Sequence, residues 1–298
     1  MLLPPTGFDE DELLRLMRKQ FAVRGGHFEF FPLGEDSWSY RLGRYWISVR
    51  RDLRGHVPIA YRVARLLRNS GLPFVVAPLE GADGSVVYRV DGFPVVVFPY
   101  LPVMQVASST LSDQELYRVI AMISEVHRAK LAADLPEEDY RLSFDDDLVR
   151  ALACASGRSP NSGPYGARLH RLLRHHRKQI SSWRAQLTQL ASSCRATAGM
   201  PVLTHGEPSA QNILRLGDTF MLADWGGTQW GPPERDWFHV VRTLRDGPPC
   251  RPAFLSFYEM RWMLSEIAEY SSHFLAPHVG DAVDHAMWEQ LLHYLPES

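Results

Sequence analysis

Polar residues between positions 205 and 236 constrain this chain more than any other feature. The run begins His205-Gly206-Glu207, and an amide, Asn212, follows the carboxylate after five residues. A second acid, Asp224, lies twelve residues further on, in the sequence Ala-Asp-Trp-Gly-Gly. Two apolar runs joined at Gly217-Asp218 predict a short hairpin that sets Asn212 and Asp224 together. Carboxylate and amide oxygens are ligands that hard divalent cations such as Mg²⁺ prefer.

This spacing is that of a kinase-type phosphoryl-transfer site. The pattern His-Gly-Glu-x-x-x-x-Asn, then Asp-Trp, then an acid (Asp236) behind Pro232-Pro233, resembles the aminoglycoside phosphotransferase family. Residues 71–79 and 91–100 are most similar to its spectinomycin-phosphotransferase-like members. The resemblance implies a nucleotide-dependent transfer of phosphate to a small-molecule hydroxyl, with an aminoglycoside-like antibiotic as a candidate substrate.

The resemblance also implies a role for each polar residue of the run. Glu207 would meet the acceptor hydroxyl, while His205 and Asp236 would hold the backbone of the catalytic loop. Asn212 and Asp224 would bind Mg²⁺ against the phosphates of ATP or GTP.

An N-terminal sheet would bind the nucleotide. The polar turn after Phe31 is similar to the family's phosphate-covering loop, with Gly34 and Ser37 as contacts. The family's strand lysine falls on Ser48, and strand alternation places Arg50 on the same face. Arg50 is therefore either the phosphate-binding cation or a solvated strand end. The hinge at about 97–101 would bind adenine, with Phe98, Tyr100 and Leu101 as contacts.

Three departures from the family pattern keep a second interpretation open. Glu207 stands where the family has Asp, and Ser48 stands where it has Lys. The helix predicted at 56–69, whose Glu pairs with that Lys in the family, contains no acid. A catalytically impaired pseudokinase that binds a nucleotide or another ligand would fit these changes, whereas the retained Asn212 and Asp224 favour an enzyme.

The resemblance implies an α+β, bilobal, protein-kinase-like fold, and hydrophobic periodicity places the individual helices and strands. A small β-rich N-lobe would cover residues 1–101, and a large, mainly helical C-lobe would cover 102–298. Within the N-lobe the pattern predicts helices at 8–21 and 56–69, with Ile59, Val63, Leu66 and Leu67 as the apolar stripe of the second. It also predicts strands at 74–79, 86–90 and 93–98.

Composition sets the remaining expectations. A net charge of −2 argues against a generic nucleic-acid binder. No segment is apolar for long enough to span a bilayer, and the N-terminus is unlike a signal peptide. Widely spaced Cys154, Cys194 and Cys250 suggest reduced thiols and a cytoplasmic protein. Asp145, Asp146 and Asp147 are either acids at a helix start or contacts for a cationic substrate. The sequence does not fix the oligomeric state.

Overall fold

The computed structural model describes residues 4–5, 7–32, 37–53, 56–106, 111–244 and 247–297. Within them the helices are α1 (Glu10–Phe21), α2 (Pro58–Asn69), α3 (Asp113–Arg128), α4 (Asp145–Cys154), α5 (Gly166–Ala196), α6 (Glu234–Leu244), α7 (Pro252–Leu275) and α8 (Ala282–Tyr294). The strands are β1 (Glu29–Phe31), β2 (Ser37–Leu42), β3 (Tyr45–Arg50), β4 (Tyr88–Val90), β5 (Phe93–Pro99), β6 (Met104–Gln105), β7 (Val202–Thr204), β8 (Ile213–Leu216), β9 (Thr219–Leu222) and β10 (Gln229–Gly231). An antiparallel N-terminal sheet followed by a mainly helical part confirms the predicted fold class.

The chain divides into two compact units. One comprises residues 1–138 and 200–249, and the other comprises residues 139–199 and 250–298. The predicted nucleotide sheet and the polar run 205–236 both belong to the first unit, so the predicted site residues that the structure describes lie within a single unit. The predicted lobe boundary at 97–101 stays a prediction.

The five-stranded sheet has the antiparallel order β1-β2-β3-β5-β4. Strand alternation gives it two distinct faces. Tyr45, Ile47 and Val49 of β3 belong to a hydrophobic core that includes Leu13 and Met17 of α1. Helix α1 is well delimited, because the Asp9 side chain caps its N-terminus, acids fill its first turn and bases fill its last.

Helix α2 contributes to a second apolar cluster, in which Tyr61 packs with Val86 and Val96. The predicted apolar stripe of this helix was partly wrong. Leu66 is 46% exposed, whereas Tyr61, which the pattern did not single out, is 1% exposed. The helix begins at Pro58, where a missing N–H costs nothing, rather than at His56.

The segment 74–79, predicted as a strand, forms only one isolated parallel bridge, between Val75 and Leu222. Pro73 precedes the segment and Pro78 lies within it, and both lack the N–H that a longer ladder needs. The next strand, β4, starts at Tyr88 rather than Val86.

Two small sheets surround the polar run. Strands β6, β8 and β9 form one, and β7 pairs antiparallel with β10 in the other. Strand β6 was not predicted, because its two residues show no periodic pattern. Helix α3 opens with a capping box formed by Ser112 and Glu115.

The second unit consists of α4, α5, α7 and α8. Its Asp145 receives two hydrogen bonds of 2.6 Å from the Arg184 guanidinium. Asp147 forms an ion pair with Arg150. Two of the three acids considered for a cationic substrate are therefore already neutralised by neighbouring arginines. None of the helices in the described residues is both long and apolar enough to cross a membrane.

Candidate active site

A single buried carboxylate organises the loop that follows β7. Asp236 is fully buried, and its two oxygens accept hydrogen bonds from the N–H groups of His205 (2.9 Å) and Gly206 (2.7 Å). The His127 Nε2 atom lies 2.8 Å from the same carboxylate. Burial alone would raise the pKa of Asp236, but the hydrogen bond and charge of His127 outweigh it and lower the pKa to about 2. The ionised Asp236 thus fixes the start of the loop, which is the role predicted for it.

His205 joins this loop to the end of β9. Its Nδ1 atom accepts a hydrogen bond from the Glu207 N–H (3.2 Å), so the ring proton is on Nε2 and is donated to the Ala223 carbonyl (2.8 Å). Burial lowers the pKa of His205, which keeps the imidazole neutral. The ring also packs edge-on against Trp225, with centroids 4.6 Å apart. These contacts assign His205 a structural role.

Gly206 is required by both its conformation and its surroundings. Its φ of +109° lies where side chains are rarely tolerated, and a Cβ there would come within 2.8 Å of the Gly227 carbonyl. The Arg235 guanidinium occupies the same space and donates to the Thr204 hydroxyl and the Gly227 carbonyl, both at 2.9 Å. Arg235 therefore links the catalytic loop to the turn that carries Asp224.

Hydrogen bonds hold the Glu207 backbone on both sides. Its N–H donates to His205, and its carbonyl accepts from the Asn212 Nδ2 atom at 2.9 Å. Because the Asn212 nitrogen is used in this way, its Oδ1 oxygen is the amide atom left to bind a metal ion.

The predicted hairpin is present and brings Asn212 beside Asp224. Strands β8 and β9 pair from Ile213–Leu222 to Leu216–Thr219, and the Ala223 N–H donates to the Asn212 carbonyl at 2.9 Å. Asp224 is the next residue, with φ 63° and ψ 63°. This left-handed conformation is uncommon outside glycine but is tolerated by Asp and Asn. The Asp224 side chain is exposed, as a carboxylate that receives a ligand must be.

One face of the N-terminal sheet carries the residues predicted to meet the phosphates. Ser48 pairs with Ser39 on β2 and with Val96 on β5, and Arg50 pairs with Ser37. Small side chains therefore surround Arg50 on this face. Gly34, the other predicted contact, lies outside the described residues.

Arg50 is not the solvated strand end that was one of its two interpretations. It is only 7% exposed, and its Nη2 lies 2.9 Å from the His56 Nε2 atom. The His56 Nδ1 atom in turn lies 2.9 Å from the Tyr61 hydroxyl. Within the described residues no carboxylate forms an ion pair with Arg50, and its Nε atom has no hydrogen-bond partner. A buried charge in that state is costly, and an anionic ligand such as a phosphate would relieve the cost.

Of Arg50, His56 and Tyr61, only Arg50 was predicted from the sequence as a site residue. The helix was predicted to begin at His56, which in the structure precedes it, and Tyr61 was not among its predicted apolar positions. The sequence did contain one indication of a different partner for Arg50. The helix predicted at 56–69 has no acid, so a partner for the strand cation has to be of another type.

Some backbone groups of the predicted hinge are already used within the N-terminal sheet. The Tyr100 N–H already donates to the Arg44 carbonyl at 2.8 Å, and Phe98 pairs with Trp46 of β3. The Val97 carbonyl, on the opposite edge of β5, accepts from Leu79. Backbone alternation puts the Pro99 carbonyl on that same edge, and the next N–H there belongs to Leu101.

These groups are an acceptor and a donor on one edge. The predicted contacts of Phe98, Tyr100 and Leu101 with adenine stay a prediction. The Arg41 guanidinium lies over the Tyr100 ring, 4.1 Å from its centroid.

The stability of the first unit is expected to rise with pH between about 3 and 6.5, because two of its histidines are buried in the neutral form. Burial lowers the pKa of His239, on α6, to about 3, and it also lowers the pKa of His205. The unfolded chain takes up protons below about 6.5 while the folded chain does not, so stability is lost as the pH falls. Across this range His239 contributes a slope of up to about 1.4 kcal/mol per pH unit, and His205 acts in the same direction.

Urea unfolding followed at several pH values between 5 and 8 measures this slope. The His239→Gln variant should lose its share of the slope and behave like the wild type above pH 7. An unchanged slope in that variant would mean that His239 titrates normally in the folded protein.

Comparison with known proteins agrees with the fold and identifies the family. Spectinomycin phosphotransferase APH(9)-Ia, solved with ADP and spectinomycin, superimposes with a TM-score of 0.74 at 14% identity, over 97% of this chain and 95% of that one. The amicoumacin kinase hAmiN, solved with AMP-PNP, Ca²⁺ and Ami, has a TM-score of 0.56 at 14% identity, over 96% and 92% of the two chains. The fold is therefore kinase-like.

Comparison of sequences identifies the family to which the chain belongs. The model of the APH phosphotransferase enzyme family matches residues 37–270. Protein StrN of Streptomyces griseus is 44% identical over all of this chain and 97% of its own length. The chain belongs to the phosphotransferase enzyme family, which confirms the predicted relationship.

Proposed function

We propose that this protein transfers the γ-phosphate of ATP or GTP to a hydroxyl group of a small molecule. The observation that carries the proposal is the hydrogen-bonded assembly of the catalytic loop and the β8–β9 hairpin. It presents the Glu207 backbone, the Asn212 Oδ1 oxygen and the Asp224 carboxylate from one rigid framework. A nucleotide substrate also implies the cytoplasm as the site of action, where ATP and GTP are made.

Asn212 and Asp224 are the residues that would hold Mg²⁺. Their oxygens suit a hard divalent cation, and the remaining ligands would be phosphate oxygens and water. When bound, the metal supplies neutralisation of the charge on the β- and γ-phosphates. AMP-PNP with Ca²⁺ in the amicoumacin kinase supports this type of site.

The protein's own residues would supply nucleotide positioning and proton transfer. Arg50 would bind phosphate oxygens from the sheet side, and Pro99 and Leu101 would bind the purine edge. The acceptor oxygen attacks the γ-phosphorus, the bond to the bridging β–γ oxygen breaks, and the nucleoside diphosphate leaves. The acceptor's proton passes to the Glu207 carboxylate.

The acceptor that we propose is a hydroxyl of an aminoglycoside-like antibiotic, which would be cationic. Support comes from the family and from the relatives solved with spectinomycin and Ami. Asp145 and Asp147 are poor candidates for its recognition, since arginines already neutralise them.

A pseudokinase is the alternative, and it rests on Glu207. A glutamate carries one more methylene than the family's aspartate, and a misplacement of about 1 Å can cost roughly a hundredfold in rate. The loss of the strand lysine argues less strongly for this alternative, because Arg50 offers a cation on the same face.

Calorimetry with ATP and GTP, with and without Mg²⁺, is expected to show metal-dependent nucleotide binding. A transfer assay against spectinomycin and aminoglycosides should then show turnover. The Glu207→Gln variant should bind nucleotide normally and lose about 10²–10⁴-fold in turnover, the usual contribution of a positioned acid–base group.

Absence of metal-dependent nucleotide binding would overturn the proposal. Binding without transfer, in both the wild type and a Glu207→Asp variant, would instead support the pseudokinase.

A further inference from the structure

His56 and Val57, which precede α2, connect Arg50 to the turn that carries Asp224. Arg50 bonds to His56, and His56 bonds to Tyr61, both at 2.9 Å. His56 also packs directly against the turn, since a Cβ on Gly226 would lie only 1.5 Å from its Nδ1 atom. The neighbouring Val57 N–H donates to the Gly226 carbonyl at 3.0 Å.

The direction of these hydrogen bonds is fixed by chemistry. A guanidinium can only donate, so the His56 Nε2 atom must accept. The neutral imidazole therefore carries its proton on Nδ1 and donates it to the Tyr61 hydroxyl. The hydrogen bonds from Arg50 to His56 and from His56 to Tyr61 thus have defined directions, and the His56 tautomer that accepts from the guanidinium is the Nδ1–H form.

We propose that His56 is a positioning residue that orients Arg50 toward the nucleotide phosphates and joins it to the Asp224–Gly226 turn. This proposal rests on the proposed function, because it assumes that Arg50 binds phosphate. It makes the chain Arg50–His56–Tyr61 the replacement for the lysine–glutamate pair that the sequence lacks.

The replacement has a distinct electrostatic consequence. A lysine held by a glutamate shares its charge with an anion, whereas Arg50 is held by a neutral ring. Its full positive charge stays available in a buried, low-dielectric position, where it acts strongly on an anion. The site should therefore favour nucleotides with a β-phosphate, and the preference should depend on His56.

Nucleotide affinity in His56 variants tests this dependence. His56→Leu is expected to raise the Kd of ADP with Mg²⁺ by about 10–100-fold, the usual cost of a hydrogen bond to a charged group. The Kd of adenosine should change little, since it has no phosphate. His56→Gln should restore most of the affinity for ADP, because its amide can accept from Arg50 and donate to Tyr61. His27→Leu, at an exposed histidine of the same unit, is the matched control.

Equal weakening of ADP and adenosine, or no change in either, would overturn the proposal. A second measurement needs no nucleotide: ¹⁵N NMR of the ligand-free protein should show His56 as the neutral Nδ1–H tautomer, and Arg50→Leu should change its ring signals. A charged or Nε2–H ring in the wild type would overturn the positioning role. If the wild type binds no nucleotide, the proposed function fails, while the NMR result still decides whether His56 orients Arg50.

Discussion

Asp224→Asn is expected to lower phosphate transfer by on the order of 10³-fold or more, because it removes the anionic metal ligand of the site. Asn is the informative substitution here. It preserves side-chain size, and it tolerates the left-handed backbone that Asp224 adopts at φ 63°. The loss should therefore come from the missing charge rather than from a rearranged turn. The measurement is kcat/KM for transfer, together with the Mg²⁺ dependence of ATP binding.

The matched comparison is Asp218→Asn, which alters an exposed acid in the turn of the same hairpin. Its transfer rate should stay close to that of the wild type. Full transfer activity in Asp224→Asn would remove Asp224 from the metal site and leave the proposed mechanism without its main ligand.

Asp236→Ala is expected to lower the free energy of unfolding by about 3–5 kcal/mol, the usual cost of breaking a buried ionic pair. The substitution leaves the N–H groups of His205 and Gly206 and the His127 ring without their acceptor. Urea unfolding measures the loss. Asp134→Ala, at an exposed acid of the same unit, should change stability by less than about 0.5 kcal/mol.

Activity should fall with stability in Asp236→Ala, because the same hydrogen bonds position Glu207. A variant that unfolds at the wild-type urea concentration would show that Asp236 is dispensable for the loop. A variant that keeps the wild-type free energy of unfolding but loses transfer activity would show that Asp236 shapes the loop without stabilising the fold.

Local patterns made the polar run predictable from the sequence. The β8–β9 hairpin follows from two short apolar runs and a two-residue turn, and its register brings Asn212 beside Asp224. The loop roles of His205 and Asp236 follow from a family pattern with fixed spacing. Such features involve residues that are close in the chain or lie at family-defined distances.

The missed contacts depend on packing between distant or irregular segments. His127 and Asp236 are 109 residues apart, and nothing in either segment indicates the other. Strand alternation predicted that Arg50 shares a face with Ser48, but the sequence around His56 has no periodic signal that would indicate its contact with Arg50. The hydrogen bond from the Tyr100 N–H to the Arg44 carbonyl likewise joins two segments across the sheet.

Arg235 has a consequence for how this protein can evolve. Its guanidinium donates hydrogen bonds both to Thr204, which precedes the loop that starts at His205, and to Gly227, which follows the turn that carries Asp224. Gly206 leaves no room between them for a side chain. The loop that starts at His205 and the turn that carries Asp224 are therefore structurally coupled, and a substitution in either is expected to disturb the other. In the proposed enzyme, new acceptor preferences would then arise from residues outside this block.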